Sequence, residues 1–153
     1  MTEVQGNILD YVGKVDVISH QVNDKGIMGG GLALQIKESY PNVFEAYKSY
    51  CENVPEDKLL GECAIVNFDS SSTLCANLFG QSLGGSGRQT NYEALYIALE
   101  FLQEFVSTVG LKSVAFPYGM GCGLGGGDWR IVRAMIESVF ENTGIEVTIV
   151  KYN

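Results

Sequence analysis

The feature that most constrains this chain is a pair of glycine-rich junctions, each set between a β-rich run and a helix-forming run. The first lies in Val15 to Tyr40, VDVISHQVNDKGIMGGGLALQIKESY. A strand-like run ends at Ser19, polar side chains follow at His20, Gln21 and Asn23, and Gly29, Gly30 and Gly31 open into an apolar-periodic helix. The second junction, YGMGCGLGGG from Tyr118 to Gly127, follows the strand-like Ser113 to Phe116 and precedes a helix for which Asp128 is a good N-cap. Glycines at a helix N-terminus present backbone N–H groups where the helix dipole favours negative charge, so each junction can cradle a phosphate. Two such loops after strands of one sheet fall where open α/β sheets collect ligands.

The rest of the chain supplies that sheet. Glu3 to Leu9 reads as an opening strand and Val15 to Ser19 as the second. The helix from Gly31 stops near Ser39, before Pro41, and Pro41 suits the first turn of a second helix with Val43, Phe44, Tyr47 and Cys51 on one face. Glu62 to Phe68 and Thr73 to Phe79 flank the turn signal DSSS and read as an antiparallel hairpin. A flexible polar loop over Gly80 to Gln89 follows. Thr90 and Glu93 then fit a capping box for a helix running to Val109 and ending at Gly110. Glu146 to Tyr152 is the closing strand. Strands alternate with helices around a mid-chain hairpin, which predicts a three-layer α/β/α fold with a mixed central sheet of about six strands.

At 153 residues the chain fits one domain, 1–153, with a real core. A net charge of −8 with only 10 Lys and Arg argues against gripping a nucleic-acid backbone, which needs several basic contacts. An amide cradle still holds a small phosphorylated ligand without net positive charge. Cys51, Cys63, Cys75 and Cys122 form no C-x-x-C pair, and His20 is the single histidine, so neither a zinc site nor any other metal or cofactor is expected. No charged segment precedes an apolar leader and no apolar run reaches membrane-spanning length. The expectation is a monomeric cytoplasmic protein with reduced thiols.

Several side chains are candidates for chemistry. His20, with an ordinary pKa of roughly 6.5, suits proton transfer or phosphoryl acceptance; the alternative is a satisfied structural histidine. Asn23 can orient a ribose hydroxyl or a water, or simply close an Asx-turn. Asp128 can act as a general base or only cap its helix. Cys122 near a helix N-terminus can have a lowered thiol pKa, or be a small residue between glycines. Gln81, Asn91 and Tyr92 flank the polar loop and can reach a ligand from a third side. Tyr118 and Trp129 can stack on a base or pack. The formal G-x-G-x-x-G from Gly121 to Gly126 is not a dinucleotide fingerprint, because only one helix and one strand follow it.

These residues together resemble the macrodomain family over nearly the whole chain. Gly6-Asn7-Ile8-Leu9 is similar to its first-strand motif. Ser19-His20-Gln21-Val22-Asn23 with Met28-Gly29-Gly30-Gly31-Leu32-Ala33 is similar to its first ligand loop, and Phe116 to Leu124 to its second phosphate loop. Leu60-Gly61-Glu62-Cys63 and Asn91-Tyr92 resemble the ADP-ribose-1″-phosphate phosphatase-like branch, a relative of the terminal ADP-ribose protein glycohydrolases. The resemblance implies an ADP-ribose cleft. Asn7 and Ile8 would lie at its adenine end, and His20 and Asn23 at the distal ribose. Gln21, Gly29, Gly30, Gly31, Leu32, Gln81, Tyr118, Gly119, Met120, Gly121, Cys122, Gly123 and Leu124 would line it. It further implies removal of the 1″-phosphate by His20 with Asn23 and Asp128; the alternatives are a non-catalytic reader of ADP-ribose and an ADP-ribosyl hydrolase. The chain has Gln81 and Gly125 where the glycohydrolase branch has a catalytic lysine and aspartate, which argues against that mechanism.

Overall fold

A computed structural model of the chain describes residues 1–83 and 87–153. Residues 84–86 fall within the predicted polar loop, so that part of the expectation lies outside the described residues. Six strands form one sheet: β1 (Thr2–Gln5), β2 (Val17–Asn23), β3 (Cys63–Asn67), β4 (Leu74–Gln81), β5 (Ser113–Pro117) and β6 (Glu146–Lys151). Their order is β1-β6-β5-β2-β4-β3, parallel throughout except for the antiparallel β3–β4 hairpin. The helices are α1 (Gly31–Ser39), α2 (Pro41–Asn53), α3 (Tyr92–Val109) and α4 (Trp129–Phe140).

The period-2 alternation of β2 divides the layers. Val17 packs with Leu95, Leu99, Val132 and Ile136, under α3 and α4. Ile18 packs with Ile36 and Val43, under α1 and α2, and Val22 with Tyr47 and Phe79 on the same side. This is the three-layer α/β/α arrangement with a mixed sheet.

Three local expectations need correction. The opening strand ends at Gln5, not Leu9: Gly6 has a φ of 150°, and Asn7 caps a short 3-10 helix over Ile8–Tyr11 with Oδ1 accepting from Leu9 N at 3.0 Å. β2 runs past Ser19 to Asn23, because Ser19 and His20 pair with Ala76 and Asn77 in the sheet, so His20 and Gln21 are strand residues and not loop residues. The cap of α3 is Asn91, whose Oδ1 accepts from Ala94 N at 3.0 Å; Thr90, predicted to do this, is drawn into a bridge with Gln81.

Candidate ligand-binding cleft

α1 follows β2 on one face of the sheet and α4 follows β5 on the other, while β2 and β5 are neighbours. The chain therefore leaves in opposite directions beyond adjacent strand ends, and a crevice must open there. It is a cleft of about 570 Å³, bounded by Gly29 to Ala33 on one side, Pro117 to Gly121 with Gly123 to Gly125 on another, and Gln81, Leu83 and Gln89 on a third. His20, Gln21, Val22, Asn23 and Ile27 complete the lining. Among the described lining residues none carries a formal charge.

The first glycine wall is held by Asn23. Its Nδ2 donates to Ile27 O at 2.7 Å, and its Oδ1 accepts from Lys25 N and from the Tyr47 hydroxyl, both at 2.9 Å. The Tyr47 hydroxyl also lies 2.8 Å from Asn23 O. Both ends of the Asn23 amide thus brace the loop, as an Asx-turn does. The loop then enters α1 through Gly30, an extended N-cap with no side chain to satisfy the first helical turn. Among the described residues the N–H groups of Gly29, Gly30, Gly31 and Leu32 have no acceptor in the protein. Tyr47→Phe should lower the unfolding free energy by about 1 kcal/mol in urea titrations, since it leaves two half-buried acceptors on Asn23 without their donor.

The second wall is held by Thr90, a residue that sequence reasoning assigned to a cap. Gln21 Nε2 donates to Thr90 Oγ1 at 2.9 Å, and Thr90 Oγ1 donates to Gly121 O at 2.7 Å. Because a carbonyl can only accept, the direction of this relay is fixed from Gln21 to Gly121. The N–H groups of Gln89 and Thr90 both donate to Gly125 O at 2.9 Å. A Cβ on Gly125 would overlap Thr90 Oγ1 and stand 2.8 Å from Gly121 O, so glycine is required there. Among the described residues the N–H groups of Gly121, Gly123, Leu124 and Gly125 have no acceptor in the protein. The two glycine walls therefore bring two sets of residues with unpaired amides to the lining of one uncharged cleft.

The third wall is tied to the first by Asp24, only 7% exposed, whose carboxylate accepts from Ser82 Oγ at 2.8 Å and Leu83 N at 3.3 Å. Gln81 Nε2 donates to Gln89 Oε1 at 2.9 Å. Tyr118 stands at the rim, 39% exposed, with its ring 5.0 Å from that of Trp129 and the Lys151 ammonium 4.7 Å above it.

His20 faces the α1–α2 side and is only 2% exposed. Its Nε2 lies 2.7 Å from Asn77 Oδ1. Burial lowers its pKa to about 4, against a smaller raising effect of the Asn77 bond, so the ring is neutral at pH 7. A neutral ring with that pKa is no general acid near neutrality; only its lone pair is available.

Four expected site residues stand elsewhere. Asp128 is not on the cleft. Its Oδ1 caps α4 by accepting from Arg130 N at 2.9 Å, and the Arg130 guanidinium holds its carboxyl below the usual range. Cys122 does not line the cleft; its thiol points to Met120 O at 3.3 Å, and burial raises its pKa, the reverse of the helix-terminus expectation. Asn7 and Ile8 are absent from the described lining: Asn7 caps the 3-10 helix and Ile8 is buried in the core. Conversely Val22, Ile27, Ala33, Leu83, Gln89 and Pro117 line the cleft without having been expected to. Nothing in their types marks them, since each contributes position and not chemistry.

The Macro domain family model matches residues 20–136, a span that contains both glycine walls. The chain belongs to the macrodomain family. Among its relatives, the ADP-ribose 1″-phosphate phosphatase of Saccharomyces cerevisiae is 33% identical over 109 residues, 69% of this chain and 61% of that protein. The chain thus spans about three fifths of the yeast protein's length. The human ADP-ribose glycohydrolase OARD1 is 28% identical over 149 residues, covering 97% and 90% of the two chains. The macrodomain of Thermus aquaticus DarG has a TM-score of 0.79 at 26% identity, over 97% of this chain and 96% of that one. In this macrodomain no helix among the described residues is long and apolar enough to cross a membrane.

Proposed function

We propose that this macrodomain binds ADP-ribose through its diphosphate and hydrolyses the phosphate ester of ADP-ribose 1″-phosphate. The observation that carries the reading is the convergence of two unpaired amide sets on one uncharged cleft. Amides bind phosphate oxygens without a counter-cation, and they stabilise charge that builds on phosphorus during transfer. The similarity to the yeast phosphatase supports the choice of ester. His20 supplies the lone pair, either to phosphorus or to a proton of the attacking water. Water delivers oxygen to phosphorus, the P–O bond to the ribose breaks, and the proton that His20 takes from the water passes to the leaving ribose oxygen, giving ADP-ribose and inorganic phosphate. Asn23 acts by shaping the first loop, and Asp128 has no part in this scheme, since it lies off the cleft.

Phosphate release from ADP-ribose 1″-phosphate tests the reading. His20→Ala should lower turnover by about a hundredfold, the low end of acid–base contributions because the ring is a weak base, while ADP-ribose affinity is kept. Undiminished turnover in that variant would remove His20 from the mechanism. A second reading, a non-catalytic reader of ADP-ribose, is favoured by the burial of His20 and the uncharged lining. Calorimetry showing ADP-ribose binding with no phosphate release in the wild type selects it.

A further inference from the structure

Asn77 is an amide in a place that costs free energy. It sits in the middle of β4, 1% exposed, between the fully buried Ala76 and Leu78. It does not line the cleft, so ligand binding does not account for it. Burying a primary amide in an apolar layer is unfavourable unless its polar atoms are matched. Here they are matched in a directed way. β2 and β4 are parallel, with His20 in register with Asn77, and both side chains lie on the face that Cys75 and Phe79 also occupy.

The direction follows from elementary hydrogen-bond chemistry. Asn77 Nδ2 donates to Ala64 O at 3.1 Å. A carbonyl only accepts, so the amide cannot be turned the other way without setting two oxygens against each other. The atom facing His20 is therefore Oδ1, which can only accept, and the Cys75 thiol donates to the same oxygen at 3.7 Å. The His20 nitrogen 2.7 Å away must then carry a proton. Burial keeps the ring neutral at pH 7, with its pKa at about 4, so there is one N–H to place.

We propose that Asn77 is the positioning residue of His20, fixing its imidazole as the Nε2–H tautomer and leaving the lone pair on Nδ1. The catalytic half of this assignment rests on the phosphohydrolase reading above; the tautomer half does not. The consequence for the reaction is that the lone pair is offered at one defined atom, on the side of the ring away from β4. Ala64 O sets the Asn77 amide, Asn77 sets the ring, and the ring presents Nδ1 alone.

His20 is the only histidine in the chain, so ¹⁵N-labelled protein gives a single imidazole whose two nitrogens report the tautomer directly. The wild type at pH 7 should show the proton on Nε2 and an unprotonated Nδ1. Asn77→Leu, close in size and without an acceptor, should populate both tautomers and lower phosphate release by about tenfold while ADP-ribose affinity stays within about twofold. A wild-type ring protonated on Nδ1 overturns the proposal, and so does an unchanged tautomer in Asn77→Leu. Should the leucine variant not fold, the wild-type spectrum still decides the tautomer. A correct tautomer with no wild-type phosphate release removes the phosphohydrolase reading and the catalytic role of Asn77 with it, and leaves the hydrogen-bond assignment standing.

Discussion

Gly125→Asp is expected to weaken ADP-ribose binding by more than about a hundredfold and to lower the thermal unfolding midpoint. The Cβ alone would overlap Thr90 Oγ1, stand 2.8 Å from Gly121 O and 3.3 Å from Gln21 Nε2. Neither Gly121 O nor Thr90 can step aside cheaply. Gly121 O is backbone, held by Gly127 N at 2.9 Å as well as by Thr90, and Thr90 is 2% exposed. Forced overpacking costs about 1–3 kcal/mol, and breaking the Gln21–Thr90–Gly121 relay removes further hydrogen bonds at about 1 kcal/mol each. Together these reach about 3 kcal/mol, a factor of more than a hundred in a binding constant if the damage falls on the amides proposed to hold the diphosphate. Gly125→Ala should give a smaller version of the same loss. Calorimetry with ADP-ribose checks both; wild-type affinity in the alanine variant would show that the second loop does not need its present shape.

The same geometry bears on the glycohydrolase alternative. The resemblance puts a lysine and an aspartate of that branch at Gln81 and Gly125. The relay built on Thr90 fills the space a side chain at 125 would use. Gly125→Asp combined with Gln81→Lys should therefore bind ADP-ribose poorly, and not acquire the acid–lysine chemistry.

The legible part of this fold was the part written in local rules. Pro41 ended one helix and began the next, Gly110 adopts a φ of 85° at the end of α3, Asp128 caps α4, and the DSSS turn joins β3 to β4. The two glycine walls were legible for the same reason, since a run of glycines before a helix has few other uses. The misplacements came where tertiary pairing overrode local signals. Thr90 has the sequence of a cap, yet its hydroxyl is worth more on the Gly121 carbonyl than on α3, because Asn91 can cap instead. β2 extended past Ser19 because β4 offers partners as far as Gln81. Polar residues at 20, 21 and 23 looked like a loop; they are a strand whose polar side chains are each taken up by a neighbour, Asn77, Thr90 and the first loop. Asn77 was invisible in the sequence, because its role exists only through register with His20.

That register carries the last prediction. The buried His20 should make this macrodomain acid-sensitive well above the range where carboxylates titrate. Unfolded, its imidazole binds a proton near pH 6.5; folded, it does so only near about pH 4. Between those values the unfolded state holds a proton that the folded state lacks, so stability falls as pH falls through 6.5 and this contribution levels off below about 4. The gap corresponds to about 3 kcal/mol, a large share of a domain's stability. Urea unfolding from pH 7 to pH 4 should show the loss in the wild type and a flatter profile in His20→Gln, where no group titrates at that site. The difference between the two curves isolates His20 from the carboxylates, Asp128 among them, which lose their pairing at lower pH. Parallel curves would mean the imidazole gains protons equally in both states, and the desolvation argument would fail. The same burial sets the pH dependence of turnover. If the His20 lone pair does the chemistry, the acid limb of the rate profile should lie near pH 4 and not near 6.5, so turnover would persist in acid until the fold itself began to fail.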